Sequence, residues 1–317
     1  MGLIKELTGR IGYYHHKMQA VAVGGWPERA DARHRQDGVR RPRARRVYRA
    51  LYTALQDRLR AAMGDKVQLE ARGLPVEASS ATLLVSAGIP ASEEILKRYP
   101  TIPAVAVLLP HHAVADLVRR DRQRRAPATA LYLDQPPDRY FGLIRATLPE
   151  ATRVGIIYGS ISRADRADFA AAAKRAGLAL QEAQFAKDDN IVQVLEPLLS
   201  KTDVLLVPPD PEVSSEQNVY PLLLSTYRRG IPVVGFSAAY VRAGALAAVY
   251  SDSEQLGQQV ADVITRFLQP GQGRLPPPQY PADFRVSVNR QVARSLGLTV
   301  PDDAVLYRQL RAREARP

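Results

Sequence analysis

Asp203 to Ser253 reads DVLLVPPDPEVSSEQNVYPLLLSTYRRGIPVVGFSAAYVRAGALAAVYSDS. Two short apolar runs, Val204 to Val207 and Ile231 to Phe236, each end at a polar or Pro/Gly break, and a helix-length segment from Ser214 to Arg229 lies between them. This is a strand-loop-helix-strand unit. Apolar runs without alternation belong to parallel strands covered on both faces. In open parallel sheets ligands sit beyond the carboxyl ends of the strands, so Pro208 to Val213 and Ser237 to Tyr240 are the first places to look for function.

Working outward, the same alternation continues on both sides. Upstream, VYRALYTALQDRLRAAM carries Val47, Leu51, Leu55, Leu59 and Met63 at i, i+4 spacing, one face of a core helix. Strands over Val67–Ala71, Thr82–Ser86 and Ala104–Leu109 then alternate with helices over Ala91–Arg98 and His111–Arg122. A charged break, Asp121 to Pro127, precedes a strand over Thr129–Leu133 and the turn DQPP, where the prolines suit the first turn of a helix. A second β/α series follows: helix 138–147, strand 154–158, helix 163–176, strand 180–185 and helix 190–200. Downstream come a strand over Ala245–Tyr250, an amphipathic helix over Glu254–Leu268, a Pro/Gly linker over Pro270–Pro281, a strand over Phe284–Val288 and a helix over Arg290–Leu296. The pattern predicts an α/β protein of two Rossmann-like lobes with parallel sheets, and no sequence repeat relates them.

Composition narrows the chemistry. The 317 residues are 46% hydrophobic and 24% charged, enough for two cores, and the absence of Cys excludes disulfides and thiolate chemistry. The longest apolar runs are about eight residues, well short of a bilayer span. The formal charge of +12 is concentrated in residues 1–49, which hold 12 Lys/Arg against 4 Asp/Glu. Glu28 to Arg46, ERADARHRQDGVRRPRARR, lacks large apolar residues, so residues 1–46 are expected to be a basic, disordered segment. Lys5, Glu6, Arg10 and the His15-His16-Lys17 cluster interrupt the first apolar residues, and no signal peptide is visible in the sequence. A basic arm without a base-reading domain does not make a nucleic-acid binder.

No nucleophile elbow, P-loop, dinucleotide fingerprint or H-E-x-x-H is present. Adjacent helical residues point about 100° apart. His111 and His112 are therefore read as a solvated helix start, and neither a metal nor a cofactor nor a catalytic residue is expected. The loops at the strand ends offer small and hydrogen-bonding residues instead. Ser86-Ala87-Gly88-Ile89-Pro90-Ala91-Ser92 runs from a strand into a helix, where backbone N–H groups suit an anion, and Gly159-Ser160-Ile161-Ser162 is similar in the second lobe. These loops favour binding over catalysis, with ordinary caps and turns as the alternative for each.

LYLDQPPDRYFGLIRATLPEATRVGIIYG (131–159), IPVVGFSAAYVRAGALAAVYSDSEQLGQQVADVI (231–264) and LPPPQYPADFRVSVNRQVARSLGL (275–298) resemble the ABC transporter substrate-binding proteins related to tryptophan/tyrosine binders. The resemblance implies a type I periplasmic-binding-protein fold, in which a ligand is enclosed between two lobes by motion about a three-segment hinge. It implies chain crossings near Leu133–Gln135, Ser237–Arg242 and Pro278–Asp283. Lobe 1 would comprise residues 47–133 and 244–270, lobe 2 residues 136–237 and 284–298, and residues 299–317 a charged tail. Relatives lead into the helix at Tyr48 from a first strand, for which Gln19 to Val23 could serve here.

The resemblance further implies a monomeric, periplasmic, non-enzymatic importer component. It would bind a small organic ligand, amino-acid-like or another carboxylate, and deliver it to an ABC permease. The implied ligand residues are Ser86, Gly88 and Ile89, with Ile89 standing where relatives often have a carboxylate-binding Thr. From the second lobe they are Ser160, Asp210 and Ser237, Asp210 suited to a ligand ammonium, with Tyr240 or Tyr250 for stacking. Asp210 as a turn residue and the tyrosines as lobe packing are the structural alternatives. A cytoplasmic ligand sensor on the same fold is the competing function.

Overall fold

The computed structural model describes residues 18–24, 41–72, 81–120 and 124–315. The first sheet contains β1 (Met18–Gly24), β2 (Val67–Arg72), β3 (Leu83–Ala87), β4 (Ala104–Leu109) and β5 (Ala128–Tyr132), all parallel, in the order β2-β1-β3-β4-β5. The second contains β6 (Arg153–Tyr158), β7 (Ala179–Gln184), β8 (Val204–Leu206), β9 (Val233–Gly235), β10 (Ala247–Tyr250) and β11 (Arg285–Val288). Its order is β7-β6-β8-β9-β10-β11, with only β11 antiparallel. Counted from its own first strand, each lobe follows the doubly wound order 2-1-3-4-5. The unalternating apolar runs are fully buried in β3, β8 and β9, whereas β7, at an edge, is only partly buried.

In lobe 1, α1 (Arg41–Met63) and α9 (Ser253–Leu268) pack side by side on the sheet. Leu51, Leu55 and Leu59 meet Leu256, Val260 and Ile264 over Val85 and Val107. On the other face, α2 (Ile89–Arg98) buries Ile95 and Leu96 against Leu84, and α3 (His111–Arg120) follows β4. Lobe 2 has one core under α4 (Pro137–Thr147) and α5 (Arg166–Arg175), around Phe141, Ile144, Ile156 and Phe169. Its other core lies under α6 (Ile191–Leu199), α7 (Glu216–Arg228) and the short α8 (Ala238–Ala243), around Leu195, Leu205 and Leu222.

Three boundaries differ from the sequence reading. β10 pairs with β9 and β11, so residues 244–250 belong to lobe 2. The second crossing therefore lies at Ser251–Asp252 rather than Ser237–Arg242, and Ser237 is the N-cap of α8. The run Ala245–Val249 is wholly buried and needs strand neighbours on both sides, which only the second sheet provides. Residues 299–317 are not a mere tail: after α10 (Arg290–Ser295), α11 (Asp303–Glu314) buries Leu306 and Leu310 against lobe 2. Within 1–46, residues 18–24 form the strand expected over Gln19–Val23, hydrogen-bonded between β2 and β3, and α1 begins at Arg41. The expectations of disorder and of no signal peptide otherwise fall on residues 1–17 and 25–40, which lie outside the described residues.

The crossings are tied together. Gln135 Nε2 donates to Ser251 Oγ (3.0 Å), which donates to Asp283 O (2.6 Å). The buried Arg139 guanidinium donates to Gln135 Oε1 (2.5 Å), Pro281 O (3.0 Å) and Glu314 Oε1 (2.5 Å), and stacks 4.1 Å from the centre of the Phe284 ring. One network thus joins all three connections and α11.

Candidate functional site: the crevice between the lobes

Both sheets turn their carboxyl ends toward the crossings, and the loops that leave those ends define the crevice. In lobe 1, β4 carries a bulge between Val107 and Leu109, with Leu108 at φ 61°, before Pro110 and His111 open α3. A leucine in the left-handed region is strained, and the bulge re-aims the chain toward the other lobe. At the first crossing Asp134 accepts the His111 backbone N–H at Oδ2 (2.7 Å), placing a carboxylate at the start of α3. From lobe 2, the 3₁₀ turn Ser162–Asp165 presents Asp165, and the chain after β8 presents Pro208 and Pro209.

The His111 imidazole bridges the lobes. Its Nδ1 lies 3.3 Å from Asp165 Oδ1 and 3.6 Å from Asp134 Oδ2. Its ring contacts those of Tyr132 (5.7 Å between centroids) and Tyr280 (5.9 Å), which pack edge-to-face on each other at 5.0 Å. Burial pushes the Asp165 carboxyl up to about 6, the nearby Asp134 charge adding to the rise while His111 opposes it. His111 is itself shifted upward, chiefly by its hydrogen bond to Asp134. The Oδ1 atoms of Asp134 and Asp165 are buried without a hydrogen bond. With the lobes in this position the cavity among these groups is only ≈ 10 Å³, room for one water at most.

The residues singled out from sequence are distributed differently. Ser86, Gly88 and Ile89 stand at the carboxyl end of β3, one strand from β4. Ser86 Oγ and Ser92 Oγ share a hydrogen bond (2.8 Å), and Ser92 Oγ donates to Gly88 O (2.9 Å). Gly88 needs its φ of 84°, and its N–H donates to Val107 O. Pro90 has no N–H, so the donors this helix start offers come down to Ile89, which is exposed, and Ala91.

Asp210 is fully committed within its lobe. Its Oδ2 accepts from Ser162 N and Oγ (both 2.9 Å) and its Oδ1 from Glu212 N (2.9 Å) and Val213 N (3.3 Å), with 2% of the residue exposed. It locks the loop after β6 to the loop after β8, and a Cβ on Gly159 would collide with its carboxylate. The expectation that Asp210 meets a ligand ammonium gives way to its turn role. Ser160 is exposed, and its N–H donates to Glu212 Oε2 (3.0 Å). Ser237 accepts from Tyr240 N as an N-cap. Tyr240 is buried in the lobe 2 core against Phe236. Tyr250 shares a hydrogen bond with Ser287 Oγ (2.9 Å) and lines a separate groove with Asp283, Arg285 and Tyr307.

His111, Asp134 and Asp165 escaped the sequence reading. His111 and His112 read as a solvated helix start because adjacent positions diverge on one helix, whereas the partner Asp165 arrives from the other lobe. The usable signal was positional: His111 is the second residue after a parallel strand.

The model of a family described as ABC transporter substrate binding protein matches residues 57–310. The chain belongs to that family. As an ABC transporter substrate binding protein it is a ligand binder and not an enzyme; the family binds small molecules, works with ABC permeases and is typically extracytoplasmic. Its type I periplasmic-binding-protein fold recurs in solved structures. The ABC domain from Streptococcus pneumonia in complex with L-Trp matches at TM-score 0.61 and 19% identity, over 92% of this chain and 98% of that one. A ligand-free, open substrate binding protein with adhesive properties from Clostridium difficile matches at 0.68 and 16%, over 90% and 97%. A conserved domain protein from Vibrio cholerae matches at 0.60 and 19%, over 92% and 98%. No curated protein sequence matches this substrate binding protein. Among its described residues no helix is long and apolar enough to cross a membrane.

Proposed function

We propose that this protein is the solute-binding component of an ABC importer, acting as a monomer in the periplasm and taking an amino-acid-like solute between its lobes. The observation that carries this reading is the pair of carboxylates, the buried Asp134 at a crossing and the partly buried Asp165 in lobe 2, beside the tyrosine rings of Tyr132 and Tyr280. Carboxylates beside aromatic faces suit an ammonium group. The start of α2, with Ile89 and Ala91 N–H, offers a seat for the solute carboxylate. The L-Trp complex of the pneumococcal structure supports the same class. The ≈ 10 Å³ crevice is far smaller than such a solute, so the lobes must part to admit it and close again around it. The closed form is then what a permease reads, and no bond is made or broken.

The test is a thermal-shift screen of the full chain against amino acids, simple carboxylates and neutral sugars. A ligand that binds only the folded state stabilises it by RT ln(1 + [L]/Kd). We expect a rise in melting temperature with one or more amino acids, reduced in Asp134→Asn. A rise with neutral sugars alone would overturn the amino-acid class while leaving solute binding in place. Size-exclusion chromatography with light scattering checks the monomer.

A further inference from the structure

We propose that His111 and His112 of lobe 1 and Asp165 of lobe 2 form a binding site for a divalent transition-metal ion, which holds the lobes closed. One donor atom from each of these residues lies within 4.8 Å of the others. The set comes from both sides of the crevice, so occupancy joins the lobes. Two imidazole nitrogens and a carboxylate oxygen are donors that suit Zn²⁺. Tetrahedral ligands around such an ion stand about 3.4 Å apart, so side-chain adjustments of about 1 Å bring the three into place. Being consecutive does not bar the two histidines, because they sit at the first turn of α3 with ring centroids 6.2 Å apart.

A further feature, independent of the three donors, points to a cation here. Asp134, lining the same crevice and only 8% exposed, keeps its Oδ1 without a hydrogen bond. Its Oδ2 accepts the His111 backbone N–H, which fixes it at the start of α3 beside the two histidines, and its Oδ1 stands ready as a further donor. The cavity of ≈ 10 Å³ excludes a solute with the lobes as they stand but leaves room for a bare ion. The inference shares the crevice with the solute reading but does not need it, and an ion would compete with a solute ammonium for Asp165.

The test uses the full chain with Zn²⁺ for calorimetry and Co²⁺ for absorption spectra, with no solute present. His15, His16 and His34 could also take up metal, so the reference protein is the triple variant H15A/H16A/H34A. We expect it to bind one ion, with the intense visible bands of low-coordinate Co²⁺, and His112→Ala and Asp165→Asn each to weaken binding by at least about tenfold. Circular dichroism and melting curves show that the variants fold. Absence of uptake by the reference protein would overturn the proposal, as would uptake that His112→Ala weakens and Asp165→Asn leaves intact, since that ion would be held by one lobe alone. Because the metal is titrated alone, this outcome is separate from whether amino acids bind.

Discussion

Asp210 shows how a single side chain can serve a site without touching a ligand. Four donors from two loops converge on it, and with 2% of the residue exposed it is shielded from water. Asp210→Ala leaves those donors buried and unpaired, at a cost of about 2–4 kcal/mol. Urea unfolding should show a midpoint lowered accordingly, and solute affinity should fall because both loops border the crevice. Asp203 makes a different case. Its carboxylate accepts from Thr152 N and Oγ1 and from Arg153, and the Arg153 guanidinium, first among these, holds its carboxyl far below the usual range. A depressed folded value means that the contribution is fully present above about pH 5 and is lost progressively as pH falls through the unfolded and then the folded value. Asp203→Asn should therefore lower the melting temperature by a constant amount from neutral pH down to about pH 5 and by a shrinking amount below it. A difference that widened on acidification would contradict this. Sequence spacing located both aspartates at strand ends but gave no view of their donors, which come from the loop after β6 and from the strand beside β8. The same limit hid His111 and Asp165, whose pairing exists only once two lobes face each other.

Elements were legible where an apolar period was long, as in α1 and α9, and least so where a few buried residues sit among many charges. α11 has only Leu306 and Leu310 at i, i+4 to bury, within a segment otherwise full of Arg, Asp and Glu, and it reads as a tail for that reason. In the fold the two leucines are 0% and 2% exposed, and Glu314 partners the buried Arg139. Deleting residues 303–317 should uncover that apolar face and strand the Arg139 charge, costing about 4 kcal/mol or more. The truncated protein is expected to melt well below the full chain or to aggregate; an unchanged melting curve would show that α11 is dispensable. β10 was misassigned because a buried strand looks alike in either sheet, and only pairing decides it. The α1–α9 seam was foreseeable as a contact but not in its closeness. A Cβ on Gly257 would stand 2.5 Å from Leu51 O and 3.0 Å from Ala54 Cβ. Gly257→Val should part the helices and cost about 1–3 kcal/mol, read from the same unfolding curves.

At the scale of the whole molecule, the two lobes repeat one strand order although no sequence repeat announces it, because the order is set by pairing and handedness rather than by particular residues. What sets their relative position is a short set of groups of two kinds. The hinge network of Gln135, Ser251, Asp283 and Arg139 is buried and joins all three crossings. Gln135→Ala would leave the Ser251 and Arg139 groups short of partners, so it should lower the melting temperature whatever the lobe positions. The contact across the crevice is different in kind: His111 against Asp165, over a cavity wide enough for one water at most. It links the lobes without supporting either core, so its loss should change their separation and leave their stability nearly untouched. Asp165→Asn is therefore expected to raise the radius of gyration in small-angle X-ray scattering relative to the unaltered chain, while the melting temperature shifts little. The comparison separates two ways of holding a bilobed protein shut. If Asp165→Asn left the scattering curve unchanged, closure would reside in the hinge network itself, and Gln135→Ala would be the variant that opens the lobes. If Asp165→Asn opened them, the crevice pair would be the latch, and a solute ammonium would act by taking the place of His111 beside the same carboxylate.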